Sequence, residues 1–172
     1  MRQTMTKHQD LRFLIKHGAI FITVFFGLYS IYLWTEPYHM LYFNWLASSV
    51  CKTLSPFDPA VRCVGNVIHY QGVPSLKVIE GCDGVTVFIL VIAAVVAYPK
   101  PWIERIKGLS VLVPILFILN WIRLYILADI RFYLPDYFRF FHVYLFQPIM
   151  IFATFAGFIA WVLHDDHKQP AH

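Results

Sequence analysis

Charge is scarce in this 172-residue chain: Asp, Glu, Lys and Arg together make up 14% of it. That is too little to solvate the surface of a water-soluble domain of this length. The basic residues are scattered over short connections and form no patch or stripe, so the net charge of +4 does not point to a nucleic-acid partner. Only three cysteines are present, and no two stand as Cys-x-x-Cys. This argues against a quinone-coupled thiol oxidoreductase, which needs paired redox cysteines. No metal-ligand spacing links the histidines, since His164 and His167 are three apart but lie on a terminal tail; no structural metal and no cofactor are expected. A small-residue cleavage site is also missing after the first apolar run, which ends Tyr29-Ser30-Ile31-Tyr32-Leu33-Trp34 and reads as an uncleaved anchor helix.

What the chain has in abundance is apolar surface. Hydrophobic residues make up 59% and aromatic residues 18%, and the apolar residues gather into four runs of nearly spanning length. The expectation is an all-α integral membrane protein: a single domain over residues 1–172, with helices at about 14–34, 82–99, 108–128 and 140–163. Pro114 and Pro148 should kink the last two helices, and Pro99 and Pro101 should stop the second. Basic residues cluster before the first run (Arg2, Lys7, Arg12, Lys16) and between the second and third (Lys100, Arg105, Lys107). The positive-inside rule then puts both termini in the cytoplasm and the segment 35–81 outside. Within that segment, Asn66 to Glu80 suggests a small β-hairpin that holds the following turn.

Three polar groups are brought to one face by this topology. Cys82 opens the second helix, in Glu80-Gly81-Cys82-Asp83-Gly84. Arg123 lies five residues before Ala128, the expected end of the third, or roughly 7–8 Å deep. His142 opens the fourth. A thiol, an imidazole and a guanidinium suit nucleophilic attack on an acyl group. Cys82 attacks, His142 serves as acid or base, and Arg123 stabilises the thiolate or an oxyanion. Glu80 and Asp83 flank the thiol and should push its pKa up, which the helix N-terminus and Arg123 offset. Asn120, one turn before Arg123, can hydrogen-bond the guanidinium or a bound carbonyl. A lone cysteine at a helix mouth is ordinarily a small hydrophobe and an interfacial histidine ordinary packing. An arginine inside an apolar span is harder to account for without a function.

The order Glu80-Gly81-Cys82-Asp83-Gly84, then Asn120-Trp121-Ile122-Arg123, then Phe141-His142 resembles the exosortase/archaeosortase family, membrane-embedded cysteine transpeptidases, over about Val61 to Leu163. The resemblance implies catalytic roles for Cys82, Arg123 and His142. It further implies a bacterial inner-membrane location, and as partners exported proteins ending in a short motif, a hydrophobic helix and a basic tail. Membrane lipids surround such an enzyme, and water, a lipid or a glycan would be the acyl acceptor. Four spans would make this a short member, and Asp83 and Val143 stand where many members have Ser and Asp.

Cys51 and Cys63 both fall in the outward segment, where an oxidising compartment allows a disulfide that leaves Cys82 as the free thiol; two unpaired packed cysteines are the alternative. A non-catalytic membrane scaffold, with Arg123 and Asn120 merely pairing helices, is the alternative to an enzyme.

Overall fold

The computed structural model describes residues 2–166; the tail that carries His167 and His172 lies outside the described residues. The chain runs through α1 (Arg2–Trp34), α2 (Glu36–Leu54), β1 (Val61–Val64), β2 (Val67–Tyr70), β3 (Val73–Lys77), α3 (Val85–Ala97) and α4 (Trp102–Tyr133). A 3-10 turn at Pro135–Tyr137 and a π-helical stretch at Phe140–Phe146 then lead into α5 (Gln147–Asp166). It is a mostly helical membrane protein with one small sheet.

Among the described residues, three stretches are long and apolar enough to cross a membrane: Leu11–Trp34, Trp102–Tyr133 and Phe140–His164. The fourth expected span is shorter than the sequence suggests. Residues 82–99 were expected to be helical, but α3 has 13 residues, about 20 Å at 1.5 Å per residue against a hydrocarbon core of about 30 Å. Its start is set by Gly84, whose φ of 79° is left-handed and cannot belong to the helix. Its end is set by the prolines at 99 and 101. Cys82 and Asp83 therefore sit in the turn ahead of the helix. α3 is nonetheless central, packed on α1, α4 and α5, with Val91, Ala93 and Val95 fully buried. α4 passes Pro114 without interruption. Pro148 is the second residue of α5 and follows directly on the π-helical stretch, so a helical turn precedes it and misses its N–H. That same missing donor leaves the Tyr144 carbonyl without its α-helical partner, and the chain ahead of it winds as a π-helix.

The segment 35–81 contains the expected hairpin, as β2 and β3, together with a helix and a third strand. Its first half is α2, whose buried residues His39, Phe43, Leu46, Ala47, Val50, Cys51 and Leu54 recur at helical spacing along one face. Its second half is a three-stranded antiparallel sheet in the order β1-β2-β3. Val64 pairs with Val67 and Tyr70 with Val73, so both connections are two-residue turns. Gln71 and Gly72 both have positive φ in the second, as such hairpin turns require. Glu80 lies beyond the last strand, which ends at Lys77. Ile68, Leu76 and Val78 of this region pack with Leu46 and Val50 of α2 and Leu124 and Ala128 of α4 in one core, which also takes in Cys82. A disulfide between Cys51 and Cys63 joins α2 to β1.

The sheet also explains why α4 outlasts its apolar run. Arg131 donates from Nε to the Ser75 carbonyl at 3.0 Å, and Phe132 stacks on Tyr70 at 4.6 Å between ring centroids. The helix therefore continues to Tyr133 rather than ending at Ala128. Arg123 is ten residues, about 15 Å by helical rise, from the end of α4, and five from the end of its apolar run at Ala128.

Candidate active site

The turn 79–84 is delivered by β3. Val78 donates to the Asn66 carbonyl at 2.9 Å, and the Asn66 side chain returns a bond to the Val78 carbonyl at 2.7 Å, which fixes the exit from the sheet. Cys82 N–H then closes on the Ile79 carbonyl at 3.0 Å. Glycines at 81 and 84, both with positive φ, flank the Cys82-Asp83 pair. Cys82 is 7% exposed and its free thiol is directed at the π-helical stretch ahead of α5: Sγ lies 3.6 Å from Nε2 of His142. On the far side of the imidazole, Arg123 Nη2 lies 3.3 Å from Nδ1. Cysteine, histidine and arginine from a turn and two helices thus form one contact chain, with the histidine in the middle.

The direction of the proton follows from the end of that chain. A guanidinium carries donors only, so Nδ1 is the acceptor and the neutral ring holds its proton on Nε2, facing the sulfur. This suits an imidazole that donates to a thiolate better than one that receives a proton from a thiol. Arg123 is 4% exposed, and its Nε is buried without a hydrogen-bond partner. Burial pushes the Cys82 thiol up; the Arg123 charge and the bond from Ile79 oppose it, while Asp83 adds to it. Phe138 stacks on the His142 ring, nearly parallel and 5.5 Å away between centroids, so the imidazole is held by packing as well as by its two polar contacts.

The supporting residues are placed less as expected. Asn120 does not bond the guanidinium: its Nδ2 donates to the carbonyl of Asp83 at 3.1 Å and, more loosely, to that of Cys82 at 3.5 Å. Asp83 is fully buried, and its carboxylate accepts from Tyr32 Oη at 2.6 Å. Glu80 plays no part at the thiol. The turn points it away toward α2, where Oε1 lies 3.3 Å from Nδ1 of His39. With α3 starting only at Val85, the thiol is also three residues ahead of the helix N-terminus that was expected to favour its ionisation.

The profile of the transmembrane exosortase family matches residues 11–161. The chain belongs to the transmembrane exosortase family. No curated protein and no solved structure matches it. The exosortase match begins on α1, about 50 residues before the stretch in which the motifs are found, and so takes in α1 and α2 as well as the three contact residues.

Those two helices carry what the motifs do not reveal. Tyr32 near the end of α1 and Tyr42 in α2 both bond Asp83, the first at its carboxylate and the second at its carbonyl, 3.0 Å away. His39, 7% exposed, stacks on Tyr32 at 4.1 Å between centroids. In the sequence all three are aromatic or histidine residues in a stretch full of such side chains, where an interfacial belt accounts for them equally well. The one legible signal was the spacing 39, 43, 46, 47, 50, 51, 54 of buried residues along α2.

Proposed function

We propose that the chain is a membrane-embedded cysteine transpeptidase or protease that cleaves the C-terminal sorting tail of exported proteins through a thioacyl intermediate at Cys82. The observation that carries this reading is the chain of contacts from Cys82 Sγ through both ring nitrogens of His142 to Arg123. Membership of the exosortase family supports a membrane transpeptidase.

The roles are as follows. Cys82 gives its proton to water and attacks as the thiolate, with the Arg123 charge and the His142 Nε2–H holding the sulfur's negative charge. The sulfur forms a bond to the scissile carbonyl carbon, and the carbonyl electron pair moves onto oxygen, where the uncommitted Arg123 Nε–H is available to it. Collapse of the tetrahedral species breaks the C–N bond. The half-exposed His142 ring first takes a proton from water, and the imidazolium then gives the Nε2 proton to the leaving nitrogen and returns to the neutral form. Water, a lipid or a glycan then takes the acyl group from the thioester and frees Cys82. The protein lies in a bacterial inner membrane with both termini cytoplasmic and Cys82 facing outward, in keeping with Lys100, Arg105 and Lys107 between α3 and α4.

The test is processing of a tail-bearing exported protein by membranes that contain Cys82→Ala or Cys82→Ser at wild-type abundance. Processing should stop in both. Continued processing would remove the nucleophile from the account and leave Arg123 and Asn120 as helix-pairing groups of a scaffold.

A further inference from the structure

The segment that carries Cys82 is poorly restrained by its own backbone. It is a turn closed by one backbone–backbone hydrogen bond and a long one of 3.4 Å from Val85 N–H to the Asp83 carboxylate, with positive-φ glycines at 81 and 84 on either side of the Cys82-Asp83 pair. Left to itself such a turn samples many conformations, and the sulfur samples many directions. The restraint comes from outside, and it converges on one residue. The Asp83 carbonyl accepts from Tyr42 Oη at 3.0 Å and from Asn120 Nδ2 at 3.1 Å, so both of its lone pairs are engaged. The Asp83 carboxylate accepts from Tyr32 Oη at 2.6 Å, the shortest of the three. These donors stand on α1, α2 and α4, three separate helices. Asp83 and Asn120 have no exposed surface at all. Tyr32 is itself braced, with its ring stacked on His39 and the other face of the cluster closed by the contact between His39 and Glu80.

We infer that Tyr32 and Tyr42, together with Asn120, are positioning residues that clamp the Asp83 peptide from three helices and thereby aim Cys82 Sγ at His142. The inference rests on Cys82 being the nucleophile. None of the three has a hydrogen bond to the sulfur; they act through the peptide next to it. For α1 the consequence is specific. Its apolar stretch packs on α3 without any residue becoming fully buried, and Tyr32 bonds the Asp83 carboxylate from it.

The test reads the coupling between Arg123 and Cys82 in full-length protein in nanodiscs, with iodoacetamide as the probe, since Cys51 and Cys63 are bonded to each other and Cys82 is the free thiol. Arg123→Gln is compared with Arg123 in the wild-type background and in Tyr32→Phe/Tyr42→Phe. If the clamp aims the sulfur, Arg123→Gln slows alkylation at neutral pH by about tenfold in the wild-type background, and by under about threefold when both hydroxyls are gone. Tail processing falls about a hundredfold in kcat in the double variant, with KM little changed. A purely structural role would lower the melting temperature and the membrane abundance while the tenfold coupling survives, and that result overturns the inference. Tyr32→Phe alone removes a single oxygen and is the second variant if the double one does not accumulate; it should show a partial loss of coupling, and full coupling in it refutes the clamp. Loss of coupling while Cys82→Ala still processes substrate would mean that the clamp exists but the nucleophile is wrong.

Discussion

Adding one methyl group at Gly84 gives the sharpest view of how tightly the site is built. Gly84 has φ 79° and ψ −1°, so any side chain there incurs the left-handed penalty of about 1–2 kcal/mol. A Cβ would also stand 2.7 Å from Cγ, 2.8 Å from Nδ2 and 3.0 Å from Oδ1 of Asn120. Asn120 is fully buried and cannot swing into solvent, so the overlap adds an overpacking term of about 1–3 kcal/mol. The sum, about 2–5 kcal/mol, is within the stability of a folded domain, so the protein should still accumulate while the Asn120 bonds to the Cys82 and Asp83 carbonyls are lost. Gly81→Ala is the internal control. Its φ is 81°, but nothing lies within 4 Å of its Cβ, so it carries the backbone term alone. Thermal unfolding and tail processing of both variants in nanodiscs should rank wild type above Gly81→Ala above Gly84→Ala. Asn120→Ala should relieve part of the stability loss in Gly84→Ala without restoring processing. Equal effects from the two glycine variants would show that Asn120 does not press on Gly84, and would undo the packing argument.

Arg123→Lys should lower processing by about a hundredfold, because an ammonium lacks the planar fork that sets one donor on Nδ1 of His142 and another toward the oxyanion. His142→Ala should slow the single-turnover step by roughly 100- to 10,000-fold while substrate binding persists. Alkylation of Cys82 should rise with pH, and Arg123→Gln should move that rise to higher pH, since burial pushes the thiol up and the guanidinium opposes it; a shift to lower pH would contradict this. Cys51→Ser should reduce stability by about 3 kcal/mol, the loop-closure value for two cysteines separated by 12 positions, and leave processing intact in the protein that remains folded.

The three contact residues were legible because each is conspicuous in apolar surroundings. Arg123 stands inside a run with no other charge, and Cys82 and His142 stand at the mouths of two more. Hydropathy alone sets the approximate register of such runs, which is why all three fall at one end of the bundle. The end of α4 was placed too early because a helix can extend beyond its apolar run when something packs on the extension, here the sheet through Arg131 and Phe132. Asn120 was recognised as part of the site, but its partner was not: its one-turn spacing from Arg123 suggested the guanidinium, whereas tertiary packing brings it to Gly84 and the Asp83 carbonyl. Glu80 shows the limit of proximity in sequence. Two residues from the thiol, it is turned aside by Gly81 toward His39. Tyr32 and Tyr42 are 51 and 41 residues from Asp83 in the chain, and no local pattern marks a phenol that will serve as a donor among so many aromatic neighbours.

The central claim is a thioacyl bond at Cys82, and the direct measurement is the mass of the Cys82 peptide. Full-length protein in nanodiscs is mixed with an exported protein that carries a hydrophobic C-terminal tail, quenched in acid and digested. The account predicts that the Cys82 peptide gains the mass of the acyl fragment at the cut, that neutral hydroxylamine removes it, and that Cys82→Ala gives neither adduct nor cleavage. Cleavage that proceeds in Cys82→Ala, or an adduct on any other residue, would contradict it.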